Sequence, residues 1–458
     1  MTDERSEREA RAETGTLARK HLPRQSLAEW AVPAGRPDPV DLLLAQAQAR
    51  IQTLVPIRHG RMSASAFAFY RGSAVVMAAD LASQPNTGLT VQLCGDAHIA
   101  NFGMFASPER TLLFDLNDFD ETHPGPFEWD VKRLAASAVL TARSNGWNST
   151  VQRSLALTAA SSYRKAMRAF AGMTTLEVWY SRLDVTNLGR LASSLSPEAA
   201  LARVERSIAG ARRRTNLQAM AKLTTVVHGQ RRFVDDPPLL VRVSEEQAEL
   251  LGMDAILAYR STLVSDRAAL LDQFHVVDVA RKVVGVGSVG TRCYVLLMQG
   301  VDGKDPLMLQ IKEATASVLE PYTAPSEYAH HGARVVAGQR MLQAATDIFI
   351  GWTSATDAQN VVHDSYVRQL RDMKFSPDLS ALDEAEMEML LRACGWTLAR
   401  AHARSGDRLA LASYLGRSAR FDDAIAAWSL AYADQMEQDH SDMVQAIRMA
   451  RLPAITGV

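Results

Sequence analysis

A glycine-rich segment, Gly285-Val286-Gly287-Ser288-Val289-Gly290, runs straight into Thr291 to Met298, a stretch of β-branched, aromatic and aliphatic residues. That succession constrains the fold more than any other feature of the chain. A G-x-G-x-x-G turn in a dinucleotide site must open a helix whose N-terminus receives the pyrophosphate. A strand follows here instead, so the segment reads as the tip of a β-hairpin. Its outgoing arm, Cys293 to Leu297, turns back through Gly300 to Gly303 into Leu307-Met308-Leu309-Gln310-Ile311-Lys312, an apolar strand ending in a lysine.

Around this block the periodicity is helical. Apolar spacing from Asp41 to about Ala82, and helices over Glu128–Arg143, Ser149–Ala171, Pro197–Ala209 and Ser244–Ala258, precede it. Two short strands, Leu89–Leu93 and Thr111–Leu116, separate the first helical stretch from the helices that follow. Val283-Val284 reads as β, a helix carries Val335, Val336, Met341 and Leu342, strands follow at Ile348–Trp352 and Ser365–Leu370, and the tail from Ala381 is helical. The order predicts an α+β chain with four parts: a polar, loosely packed leader over 1–40, a large helical unit over 41–275, a small β-rich unit over 276–375, and C-terminal helices over 376–458 that complete the large unit.

Composition excludes several classes. Lys+Arg 50 against Asp+Glu 51 leaves a net charge of -1, so no global attraction to nucleic acid or anionic lipid is expected. The basic run Arg203, Arg206, Arg212, Arg213, Arg214, Lys222, Arg231 and Arg232 lacks interleaved aromatics and reads as a solvated face. Cys94, Cys293 and Cys394 form no CxxC pair, against a disulfide framework or a cysteine zinc site. The N-terminus alternates acids and bases where a signal peptide needs an apolar stretch, and no run approaches the roughly 20 apolar residues of a span, so a cytoplasmic protein with no membrane partner is expected.

The chemistry-bearing residues lie in two distant sets. Cys94-Gly95-Asp96-Ala97-His98-Ile99-Ala100-Asn101 follows a strand and places an Asn five positions after an Asp. This spacing resembles the G-D-x-H-x-x-N loop of aminoglycoside and choline kinase-like phosphotransferases. Phe114-Asp115-Leu116-Asn117-Asp118-Phe119-Asp120-Glu121 then supplies carboxylates where kinases hold Mg²⁺. The resemblance implies Asp96 as the catalytic base or acceptor-orienting residue and His98 as loop support. It makes Asn101 and Asp118 metal ligands, with Asp115, fourteen residues after Asn101, as the alternative. Gly285, Gly287, Ser288 and Gly290 would cover the phosphates of ATP and Lys312 would reach them, held by a glutamate, Glu327 first and Glu313 or Glu320 otherwise. Because the glycine turn comes first in ordinary kinases, the parts stand in circularly permuted order, and the implied fold is a kinase-like bilobal one with a helical large lobe and a small antiparallel-sheet lobe. Leu398-Ala399-Arg400-Ala401-His402-Ala403 resembles the helix preceding the catalytic loop in antibiotic kinases, and it would feed toward Asp96 in space.

The segments Phe67–Gly72, Leu93–His98, Phe114–Glu121, Pro126–Asp130 and Ala401–Asp407 resemble the bacterial family called domain of unknown function 2252. The residues as a whole imply an ATP- and Mg²⁺-dependent phosphotransferase with an unknown acceptor. Nucleotidyl transfer on the same fold, a nucleotide-binding regulator without turnover, and a metallophosphoesterase built on the D-x-H of Asp96 and His98 are the alternatives. Arg58, Arg61 and Arg71 lie close to the Asp96 loop in sequence and read either as binders of substrate phosphate or carboxylate or as helix-surface residues.

Overall fold

A single helix organises the molecule. The computed structural model describes residues 2–184, 187–188, 216–243, 253–357, 360–370 and 375–458. The helix expected over Pro197–Ala209, the start of that expected over Ser244–Ala258, and the arginines at 203, 206 and 212–214 lie outside these residues. Helices α1 (Thr2–His21), α2 (Pro39–Ala47), α3 (Val55–Met62), α4 (Ala66–Gly72) and α5 (Ala74–Ala82) come first. Strands β1 (Thr90–Leu93), β2 (Phe102–Ala106), β3 (Leu112–Leu116) and β4 (His123–Pro126) lead into α6 (Phe127–Ser144) and α7 (Ser149–Gly172). Every residue of α6 from Phe127 to Ala142 is buried.

A helix buried on all faces must pair its charged side chains internally, because an unpartnered buried polar group costs about 1–3 kcal/mol. Glu128 accepts from Thr87 N and Oγ1, Lys132 donates to Gln84, Asp130 accepts from the amides of Cys94 and Gly95, and Arg133 donates to Asp96. Four charges within the first two turns of α6 thereby fix the two segments that flank β1.

The rest of the chain builds two further layers. Short β5 (Leu183–Asp184) pairs with β3, and hairpin β6 (Thr224–Val227) and β7 (Gln230–Phe233) precedes β8 (Leu240–Arg242). Strands β9 (His275–Lys282), β10 (Cys293–Gln299), β11 (Pro306–Glu313), β12 (Gly351–Thr356) and β13 (Val362–Gln369) complete a six-stranded sheet of order β12-β13-β11-β10-β9-β8. Its strands alternate as period-2 geometry requires: Leu296 and Met298 face a cluster with Tyr259, Leu263 and Phe349, whereas Val295 and Leu297 face Leu223, Phe233 and Leu240. Helix α8 (His331–Leu342) packs on β12 and β13, and α9 (Glu384–Ser405), α10 (Arg408–Leu415) and α11 (Arg420–Arg448) close the helical body around α6 and α7. All strand pairs are antiparallel, and the chain is an α+β protein.

Three sequence expectations are corrected. The leader is not loosely packed: α1 lies along α10, with Arg11 paired to Asp407 at 2.9 Å and Arg19 and Arg24 capping the carbonyls of Ser413 and Leu415. Arg36 bridges Asp80 and Asp439, both buried. The sheet unit begins before residue 276, since β8 is one of its strands and Leu223, Phe233 and Leu240 form one face of its core. Val283 and Val284 lie just past β9, whose pairing occupies the preceding residues.

Candidate functional site

The loop after β1 is held by its backbone. Gly95 sits at φ +82, and a Cβ there would fall 2.1 Å from the carbonyl oxygen of Glu121, so only glycine fits. The Asp130 carboxylate, in the first turn of α6, accepts from Cys94 N at 2.7 Å and Gly95 N at 3.0 Å. Behind it, His402 Nε2 lies 3.2 Å from Asp130 Oδ2, and the Tyr163 hydroxyl 2.9 Å from His402 Nδ1. The α9 segment around Ala401-His402-Ala403 thus meets the Asp96 loop in space.

Asp96 is gripped by the Arg133 guanidinium at 2.6 Å, and its Oδ2 stands 3.7 Å from His98 Nε2. Burial pushes His98 down to about 4, so it is neutral at neutral pH. Asn101 donates through Nδ2 to the carbonyls of Asp96 and Asp118, each at 3.0 Å. Both amide protons are thereby engaged, and Asn101 meets any ligand through its oxygen.

The second half of the site comes from the sheet. Lys312 pairs in register with Tyr366 of β13 and is almost fully buried. Its amine contacts Asp118 at 3.1 Å and makes a shorter contact with Asp120. Burial opposes the charge on Lys312, but the two carboxylates outweigh it and raise the amine well above the usual lysine value. Asp120 is raised by burial and by the neighbouring Asp118, against the pull of Lys312. Asp120 accepts from the Tyr366 hydroxyl at 2.9 Å and from Ser288 Oγ at 3.4 Å. Arg334 of α8 donates to the backbone carbonyls of Asp120, Thr122 and Thr315.

A cavity of about 450 Å³ opens between these parts. Asp96, Asn101, Asp118 and Asp120 line it with Gly285, Gly287 and Ser288, while Lys312 stands behind its two aspartates. Gly290 lies outside this lining, its carbonyl accepting from Ile51 N at 2.8 Å. Arg61 holds the Gly285 carbonyl at 2.6 Å and Arg50 that of Val289 at 2.6 Å, so the glycine turn leans on α3 and on the segment that joins it to α2.

Two expected residues stand elsewhere. Asp115 is buried in an ion pair with Arg400 at 2.7 Å and accepts from Ala344 N, away from the cavity. Glu327 is exposed in the loop before α8; Glu313 pairs with Arg292, and Glu320 accepts from Ser326 N. Helix α8, His-Gly-Ala-Arg-Val-Val-Ala-Gly-Gln-Arg-Met-Leu, contains no acid at all. The lysine is therefore held by loop aspartates, not by a helix glutamate. Sequence reasoning left Asp120, Tyr366 and Arg133 unassigned. The only signal for Asp120 was its place two residues after Asp118, which in extended backbone returns a side chain to the same face.

Asp118 and Asp120 with the Asn101 oxygen form an all-oxygen donor set suited to a hard cation. Among the described residues no group of three or more His, Cys, Asp or Glu converges as a closed metal cage. Mg²⁺ is ordinarily held by one or two carboxylates completed by substrate phosphates and water, and the residues present fit that mode.

Fold and site together define an α+β protein in which a loop of acids from a helical body meets a lysine from an antiparallel sheet. The model of a family described as uncharacterized protein conserved in bacteria, DUF2252, matches residues 50–446, and the chain belongs to that family. No curated protein and no solved structure matches it.

Proposed function

We propose that the chain is an ATP- and Mg²⁺-dependent phosphotransferase of circularly permuted kinase-like architecture. The observation that carries this reading is the contact of Lys312 with Asp118 and Asp120, at 3.1 Å for the former, beside the cavity that Asp96 and Asn101 also line. In-line phosphoryl transfer asks for little covalent chemistry and much positioning. Asp96, fixed by Arg133, would accept the hydrogen bond of an acceptor hydroxyl and aim it. Asn101, Asp118 and Asp120 would hold Mg²⁺, which when bound neutralises charge on the phosphate oxygens. Gly285, Gly287 and Ser288 would cover the phosphates, Lys312 would hold Asp118 and Asp120 in place from behind, and Asp130, through the amides of Cys94 and Gly95, keeps Asp96 in place.

A nucleotide-binding protein without turnover is the second reading, favoured by the absence of a glutamate from α8. Thermal shift with ATP, ADP and Mg²⁺ on wild type and Lys312→Ala reports binding to the native state. Stabilisation of the wild type by Mg·ATP, lost in Lys312→Ala, is expected. Release of label from γ-labelled ATP, abolished in Asp96→Ala while Mg·ATP stabilisation survives, separates transfer from mere binding. Incorporation from α-labelled ATP instead would establish nucleotidyl transfer, and no stabilisation by any nucleotide would end the reading.

A further inference from the structure

Resting on that reading, we propose that the acceptor is a small molecule bearing a carboxylate or phosphate, bound by Arg58, Arg71 and Arg50 in the same cavity as Asp96. All three arginines line it. Arg58 is fully buried, and only its Nη2 is engaged, donating to Gln46 Oε1 at 2.6 Å and to the Gly72 carbonyl at 2.8 Å. Its Nε and Nη1 have no partner, nor has Nε of Arg50 or of Arg71.

Arg50 and Arg71 are half-buried beside Arg58, and the buried arginines elsewhere are treated differently by the fold. Arg133, Arg164 and Arg400 pair with Asp96, Asp422 and Asp115, and Arg334 donates to three carbonyls. Among the described residues no carboxylate lies within ion-pair distance of Arg50, Arg58 or Arg71. A buried guanidinium without a counter-charge is strongly disfavoured. Burial accordingly pulls all three below the usual arginine value, Arg58 the most clearly; the more distant carboxylates of Glu121, Glu313 and Asp120 offset only part of this for Arg50, and that of Asp96 only part for Arg71. An oxyanion supplies the missing charge and matches the planar donor fork of arginine. The cavity volume of about 450 Å³ suits a small ligand. Because Asp96 lines the same space, one compact molecule can place its anionic group on the arginines and its hydroxyl on Asp96.

The test titrates the full chain with inorganic phosphate and, separately, malonate, with and without Mg²⁺ and a non-hydrolysable ATP analogue, read by calorimetry. Saturable binding of at least one anion is expected. Arg71→Gln should weaken it by about tenfold or more, the worth of a hydrogen bond to a charged group, and leave the analogue's affinity within about twofold. Arg71 donates no hydrogen bond within the protein among the described residues, so this variant should fold. Arg58→Lys, which keeps the charge and loses the fork, should weaken anion binding as well. No anion binding to the wild type, binding unchanged in both variants, or loss of the analogue's binding in Arg71→Gln each overturns the proposal; the last would assign the arginines to the nucleotide. Arg71-dependent anion binding with no nucleotide binding keeps the subsite and overturns the phosphotransferase reading.

Discussion

Replacing Lys312 by methionine keeps the length of the side chain and removes its charge. The amine is almost fully buried and touches two carboxylates whose side chains are 38% exposed for Asp118 and 28% for Asp120. A unit charge pair about 4 Å apart at an effective dielectric of about 20 is worth about 4 kcal/mol before desolvation is subtracted. Removing one partner of a fully buried pair costs about 3–5 kcal/mol, because the other charge is stranded. The stranded aspartates here are partly wet, so water recovers part of that loss and about 2–3 kcal/mol is expected. The pH dependence gives a sharper signature. In the wild type the raised amine is charged at every pH below the usual lysine value, and its contribution disappears only as pH rises through the higher folded value. Without it, Asp120, already raised by burial and Asp118, is raised further. Its ionisation then opposes folding, a penalty that is relieved as pH falls through the folded value. Urea unfolding of Lys312→Met should therefore show a larger deficit against wild type at about pH 8 than at about pH 5. A deficit below about 0.5 kcal/mol at both, or one that grows on acidification, would mean that the Lys312 charge does not hold the acid loop.

Glu121 gives a test of opposite sign. Burial, partly offset by the Val318 amide and Arg334, pushes its carboxyl from 4.5 to about 7, so the native state holds the proton more tightly and wild-type stability should fall as pH rises through that interval. Glu121→Gln should flatten the profile there and gain about 1–2 kcal/mol at about pH 8, measured by urea unfolding across the range. At the leader, Arg36→Ala should cost about 3–5 kcal/mol because it strands the buried Asp80 and Asp439. Arg11→Ala, removing an ion pair with side chains 40% and 36% exposed, should cost under about 1 kcal/mol; equal losses in thermal unfolding would count against the packing of this segment.

The periodic elements were legible because their burial is local. The strands at Thr90–Leu93, Leu112–Leu116, Cys293–Gln299 and Pro306–Glu313 and the helices α6, α7 and α8 fall where alternation or helical spacing put them. What was not legible depends on long-range pairing. The leader looked loose because its charges have no local partners; they find them at Asp407 and Asp439, about as far along the chain as any contact reaches. Glu327 suits the interval from Lys312, but an interval cannot reveal that Arg334 occupies the helix face turned to the loop and binds the Asp120 carbonyl. Asp115 fitted a spacing argument equally well, and β3 pairing with β2 delivers it to Arg400. For Arg58, Arg61 and Arg71 the sequence leaves anion binding and a helix surface both open, and it gives no sign of Arg50, because sequence carries no measure of burial; Arg50, Arg58 and Arg71 line the cavity, whereas Arg61 holds the Gly285 carbonyl.

The separation of 194 positions between Asp118 and Lys312 is no energetic obstacle. Loop-closure entropy grows only with the logarithm of length, each doubling adding about 0.6 kcal/mol. The closure is shared, moreover, by contacts that would exist without any ligand. Ser317 Oγ donates to the Glu121 carbonyl at 2.8 Å, Val318 N to the Glu121 carboxylate at 2.8 Å, and Arg334 to the carbonyls on either side of Glu121. The acid loop is thus tied to the sheet by its backbone, and the side chains of Asp118 and Asp120 are left to meet Lys312. Order of parts along the chain then ceases to matter: a helical body that supplies acids and a sheet that supplies an amine can be joined in either sequence, provided that α6 anchors the loop through Asp130 and Arg133 and the β11–β13 register sets Lys312 beside Tyr366.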